Sequence, residues 1–130
     1  LLQPFSFYVK TYTLPDLFAG KIHALLFRKW NNRVKGRDFY DFEWYIRRRT
    51  PVNIKHFLER AHQSGELLSH KTLSLEQLKI ILHQRFSQID FELAKKDVKP
   101  FLKRPSALEL WSVKYFIQLA DFLTEDSVVA

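Results

Sequence analysis

The 130-residue sequence has no cysteine and no methionine, and only 3 glycines and 5 prolines. Without cysteine there can be no disulfide, no thiolate metal ligand and no cysteine nucleophile. That composition suits a reducing compartment. Without methionine, a chain that begins Leu1-Leu2-Gln3 reads as a processed or excised piece, the C-terminal part of something longer. The scarcity of glycine and proline, with 46% hydrophobic residues, excludes a disordered tail. No apolar run approaches the roughly 20 residues a membrane span needs, and there is no signal-peptide pattern, so a soluble, cytoplasmic protein is expected. A glycine-rich phosphate loop and a Ser-His-Asp arrangement are both missing. Histidines stand at 23, 56, 62, 70 and 83, with no metal-ligand spacing among them, and read as surface or boundary residues.

Charge and aromatic rings are abundant. Lysine plus arginine is 21 against 14 acids, a net charge of +7. Eight cations fall between Arg28 and Arg49, against Asp38, Asp41 and Glu43, so this window carries +5 of the total. Such a patch favours a phosphate-bearing partner. There are 12 phenylalanines, 5 tyrosines and 3 tryptophans. Trp30, Trp44 and Trp111 are expected in the core.

The pattern predicts one domain, residues 1–130, that is mainly α: a compact bundle of five to six helices behind one short N-terminal strand. Pro4–Thr13 alternates like a strand, left over from a truncated α/β domain and open to self-association. The helical bundle spans residues 14–123. Its first helix starts at Leu14-Pro15-Asp16, buries Phe18, Ile22, Leu25 and Leu26, and fades near Trp30–Asn32. The second runs from Gly36 to about Arg49 with Phe39, Phe42 and Ile46 inward; Arg47, Arg48 and Arg49 form a solvated last turn. A third spans Asn53–Ser64, capped by Asn53 and stopped by Gly65. The fourth spans Leu75–Gln88 with a Ser74/Gln77 capping box. Asp90–Lys99 is a short fifth, ended by Pro100. A sixth opens at Pro105-Ser106 and runs to about Leu123.

The densest chemical segment is Lys35-Gly36-Arg37-Asp38-Phe39-Tyr40-Asp41. Asp38 and Asp41, three apart, share a helix face. Lys21 shares a face of the first helix with Leu17, Ala24 and Arg28. A lysine half-drawn into a pocket binds phosphate as a point charge, and a carboxylate pair can hold a metal, orient a hydroxyl or accept its proton. The plainer alternative has Asp38 capping the second helix and Asp41 paired with Arg37 or Tyr45. Lys35 and Arg37 are then solvated, and Lys21 snorkels past Phe18.

Two stretches carry a resemblance: Leu14–Leu25 with its A-x-K-x-x-A-L pattern, then K-G-R-D-x-x-D at Lys35–Asp41. The tail Ala94–Phe101 fits as well. Together they resemble the AbiEii family of nucleotidyltransferase-like toxins from bacterial abortive-infection and type IV toxin–antitoxin systems. The resemblance implies a polymerase-β-like site using an NTP and Mg²⁺, with Lys21 and Asp38 catalytic. Arg28, Lys35, Arg37 and Asp41 would bind nucleotide or support it. It implies an antitoxin partner and leaves RNA open as another. The family's Gly-Ser and Asp-x-Asp metal-binding motifs occur nowhere in this sequence. No metal ligand is therefore assigned, no cofactor is expected on this chain, and the chain by itself is expected to be inactive. A different class of function also stays open: a helical module that docks nucleic acid or an antitoxin through its basic face.

Overall fold

The computed structural model describes residues 13–29, 34–66 and 72–126. Among the described residues six α-helices form, in chain order: α1 (Leu14–Phe27), α2 (Gly36–Arg47), α3 (Ile54–Gln63), α4 (Leu75–Phe86), α5 (Phe91–Val98) and α6 (Val113–Asp121). Two 3₁₀ turns, Lys99–Phe101 and Pro105–Leu108, lie between α5 and α6. Among the described residues there is no strand; a single parallel bridge joins Val52 to Glu125 and pins the chain's end beside the start of α3. The expected strand at Pro4–Thr13 and its self-association fall outside the described residues, apart from Thr13, which is the N-cap of α1. None of the described helices is long and apolar enough to cross a membrane.

Local signals set most helix boundaries. Pro15 occupies the first turn of α1, where its missing N–H costs nothing. Asn53 accepts a hydrogen bond from the His56 backbone N–H at 3.0 Å, as an N-cap should. Ser74 and Gln77 satisfy each other's orphan backbone N–H groups in a capping box. Gly65 takes φ 87°, just past the end of α3. Helices α1 and α2 end a little earlier than their patterns suggest, at Phe27 and Arg47.

Helix α2 is the centre of the fold. It packs on α1 along one side and on α5 and α6 along the other, while α1 also carries α3 and α4 pairs with α6. Phe39, Phe42 and Ile46 recur at helical spacing and are all buried. The rings of Phe39 and Phe42 join a cluster with Phe86, Phe91, Trp111 and Phe116. Phe91 stacks on Phe116 at 4.9 Å, and Phe39 meets Phe116 edge-on at 5.4 Å. Such pairs add about 0.5–1.5 kcal/mol each beyond their area burial.

Two expectations are corrected here. The sixth helix is not continuous: Pro105–Leu108 is a 3₁₀ turn, and α6 begins only at Val113. Trp111 is 2% exposed and its indole N–H donates to Glu43 Oε1 at 3.3 Å. Burying that ring requires an extended Ser112 (φ −162°, ψ 168°), whose Oγ then accepts from the Tyr115 N–H and starts a new helix. Trp44 is not in the core. It is 39% exposed, with the Arg48 guanidinium 4.3 Å above its ring. Trp111 is buried as expected, and Trp30 lies outside the described residues.

Glu43 is a buried acid that composition alone did not single out. Its carboxylate accepts from the Trp111 indole, the Tyr115 hydroxyl and Arg47 Nη2, tying α2 to the start of α6. Arg47, Arg48 and Arg49 are all exposed, but Arg47 is held by this network. Burial, then the Glu43 hydrogen bond and charge, push the Tyr115 hydroxyl up to about 12 against an Arg47 effect that lowers it. An unfolded tyrosine ionises near 10. The folded state therefore holds this proton more tightly, so its contribution is intact below pH 10 and is lost as pH rises towards 12. Thermal melts of the protein across that range should fall more steeply than those of Tyr115→Phe. Parallel curves would contradict the network's role.

Candidate active site

Lys21 and the two aspartates meet because α1 and α2 pack side by side. Its Nζ lies 2.9 Å from Asp38 Oδ1 and 2.9 Å from Asp41 Oδ2. The i, i+3 spacing of the aspartates on α2 puts both on the face that α1 covers. Arg28, two turns after Lys21, places Nε 3.4 Å from Asp38 Oδ2. The Asp38 side chain is only 5% exposed, against 35% for Asp41. Burial disfavours the Lys21 ammonium, but hydrogen bonds and charge from Asp38 and Asp41 outweigh it and raise its pKa above the ordinary value. Lys21 is a cation throughout the neutral range.

Asp38 does not cap α2. It is the third residue of the helix, and its own N–H bonds the Lys35 carbonyl at 3.1 Å. The cap comes from elsewhere: the Gly36 N–H donates to Asp97 Oδ2, 61 residues away, at 2.9 Å. Asp41 pairs with Lys21 rather than with Arg37 or Tyr45. Tyr45 stacks on Phe18 at 4.7 Å behind it, and burial and the Asp41 charge raise its hydroxyl pKa.

Gly36 sets how closely α2 approaches α5. A Cβ there would sit 2.1 Å from the Ala94 carbonyl oxygen and 3.0 Å from Val98 Cβ. Glycine lets the start of α2 lie against the α5 backbone, which brings Asp97 to the Gly36 N–H and fixes the two following residues, Arg37 and Asp38.

These residues line one cleft of about 380 Å³, formed by Lys21, Arg28, Lys35, Arg37, Asp38, Asp97, Val98 and Phe101. That volume falls in the range of small-molecule sites, roughly 300–1,000 Å³. Four of the lining residues are cations and two are acids, so the cleft is electropositive. Among the described residues neither Lys35 nor Arg37 is in an ion pair. Asp38 Oδ2 is buried and has no hydrogen-bond partner among them. Its nearest donor is Arg28 Nε at 3.4 Å, an ion-pair contact that leaves room for a closer hydrogen bond from a ligand.

Mg²⁺ does not fit between Asp38 and Asp41, because the Lys21 ammonium already lies within hydrogen-bond reach of both. The described residues hold no group of three or more histidine, aspartate or glutamate side chains arranged to take a metal.

The sequence-predicted residues Lys21, Arg28, Lys35, Arg37 and Asp38 all line this cleft, and Asp41 reaches it through Lys21. Asp97, Val98 and Phe101 were not assigned to it from sequence, although they lie in the Ala94–Phe101 segment that carries part of the resemblance. The signal was tertiary: α5 lies against the N-terminus of α2.

A family model described as Nucleotidyl transferase AbiEii toxin, Type IV TA system, matches residues 1–118. No curated protein and no solved structure matches the chain. The match covers α1 to α5, the cleft and the start of α6. The chain belongs to the AbiEii nucleotidyl transferase toxin family of type IV toxin–antitoxin systems.

Proposed function

We propose that this chain supplies the phosphate-binding and substrate-orienting part of an NTP-dependent nucleotidyl transfer site, with Lys21 and Asp38 as its catalytic residues. The observation that carries the reading is the Lys21–Asp38–Asp41–Arg28 cluster, set in a cleft with an excess of positive charge. Lys21 neutralises charge that develops on the transferring phosphate. To do so it exchanges one carboxylate for a phosphate oxygen. Asp41 is the partner it gives up: at 35% exposure its carboxylate can turn to water, whereas Asp38 cannot. Asp38 keeps Lys21 aimed into the cleft and offers Oδ2 to a substrate donor. Arg28, Lys35 and Arg37 hold the remaining phosphates.

In this class of reaction a metal would supply electrostatic stabilisation of the phosphates. Asp38 and Asp41 would not hold that metal. This sequence has no Gly-Ser and no Asp-x-Asp, and no residue of the cleft is assigned as a metal ligand. The site would work in the cytoplasm, under the control of an antitoxin.

A second reading has the chain act as a docking module for RNA or an antitoxin. It is favoured by the outer edge of α2, where Tyr40 and Trp44 are exposed beside Arg47 and Arg48. Salt and competition separate the two. Inorganic tripolyphosphate should bind the chain weakly, and its affinity should fall as salt rises from about 0.05 M to about 0.5 M. A combined Arg28→Ala, Lys35→Ala substitution should remove most of that affinity, and Arg48→Ala should leave it unchanged. The reverse pattern would move the anion site to the end of α2 and favour the docking reading.

A further inference from the structure

We infer that Phe101 is the nucleobase platform of this cleft, so that the site is built for a nucleoside triphosphate and not for polyphosphate alone. The inference rests on the phosphate-binding reading above and adds the other end of the ligand. Among the described lining residues six of eight are charged, Val98 is 3% exposed, and Phe101 is the one aromatic side chain. Its ring is 70% exposed and takes no part in the hydrophobic core. Tyr40, Trp44 and Phe122 are also exposed, but none of them lines the cleft.

The backbone that carries the ring is fixed. Phe101 ends the 3₁₀ turn Lys99–Phe101, in which Pro100 restricts the backbone and the Leu102 N–H closes back on the Lys99 carbonyl at 3.1 Å. The Arg37 guanidinium lies 5.7 Å from the ring centroid. A cation near one face polarises the ring and leaves the remaining surface for a planar partner. A polyphosphate gains nothing from an apolar ring beside four cations. A nucleoside triphosphate has both parts: phosphates for Lys21, Arg28, Lys35 and Arg37, and a flat base for Phe101. Base–aromatic stacking tolerates every base, because each has a π-face. Phe101 therefore raises affinity for nucleotides as a class.

The test compares each of the four ribonucleoside triphosphates with inorganic tripolyphosphate, by calorimetry on the 130-residue chain and its variants. At least one nucleotide should bind about tenfold more tightly than tripolyphosphate. Phe101→Ala should abolish that preference and leave tripolyphosphate affinity unchanged. Phe101→Trp should keep or increase it. The ring is exposed, so neither variant should fail to fold. A nucleotide preference that survives Phe101→Ala, or its absence in the unsubstituted chain, would overturn the platform while leaving the phosphate cleft standing. Failure of every anion to bind would overturn both.

Discussion

Lys21→Ala is expected to lower nucleotidyl transfer, and toxicity in cells, by at least about a hundredfold when measured in the toxin as the cell makes it. Removing one preorganised contact to developing charge costs roughly 2.7–4 kcal/mol of transition-state stabilisation. In the function proposed above Lys21 makes such a contact, and it is held 2.9 Å from two carboxylates. The substitution should also cost stability, because Asp38 is 5% exposed and loses its closest cation. Arg28, at 3.4 Å, remains to compensate, so that loss should stay near 1–3 kcal/mol. Asp38→Asn separates the two effects. It keeps the shape and an acceptor for Lys21 but removes the charge, so activity should collapse while the thermal midpoint moves little. Arg48→Ala, on the exposed side of Trp44, should alter neither. A well-folded Lys21→Ala toxin with full transfer activity would remove Lys21 from the chemistry.

Gly36→Ala should be the most damaging small substitution in the protein. Helix propensity alone would favour alanine by about 1 kcal/mol. The added Cβ, however, would lie 2.1 Å from the Ala94 carbonyl oxygen, which is backbone and cannot swing aside. Relief requires α2 to lift from α5, and the Gly36 N–H then loses Asp97. Overpacking of about 1–3 kcal/mol and a lost charge-assisted hydrogen bond of about 1.5–3 kcal/mol together outweigh the gain. A net loss of about 3 kcal/mol is a large share of a domain's usual 5–15 kcal/mol. Transfer activity should fall as well, because Asp38 follows two residues later. Gly65→Ala gives the comparison: nothing lies within 4 Å of its Cβ position, so only the strain of φ 87° is felt, about 1–2 kcal/mol. Equal melting midpoints for the two variants would contradict this account of Gly36.

What could be read from the sequence was local. The Asn53 cap, the Ser74/Gln77 box and the inward faces of α1 and α2 depend on residues a turn or less apart. The meeting of Lys21 with Asp38 and Asp41 was also legible, because a short connection between two amphipathic helices makes them neighbours. The break before α6 was not: it depends on Trp111 reaching Glu43, 68 residues earlier. The Asp97 cap and the place of Phe101 in the cleft stayed hidden for the same reason. In sequence, Asp97 is one charge in a lysine-rich stretch, and only the packing of α5 against Gly36 gives it a task.

The location of the nucleotide site is tested most directly by titrating inorganic tripolyphosphate into the isotope-labelled chain and following the backbone amide resonances. Shifts should concentrate on Lys21, Arg28 and Lys35–Asp38 and saturate together as one site. Shifts centred instead on the lysines of the groove at Lys95, Lys96 and Lys99, or on Arg47–Arg49, would contradict the assignment of this cleft.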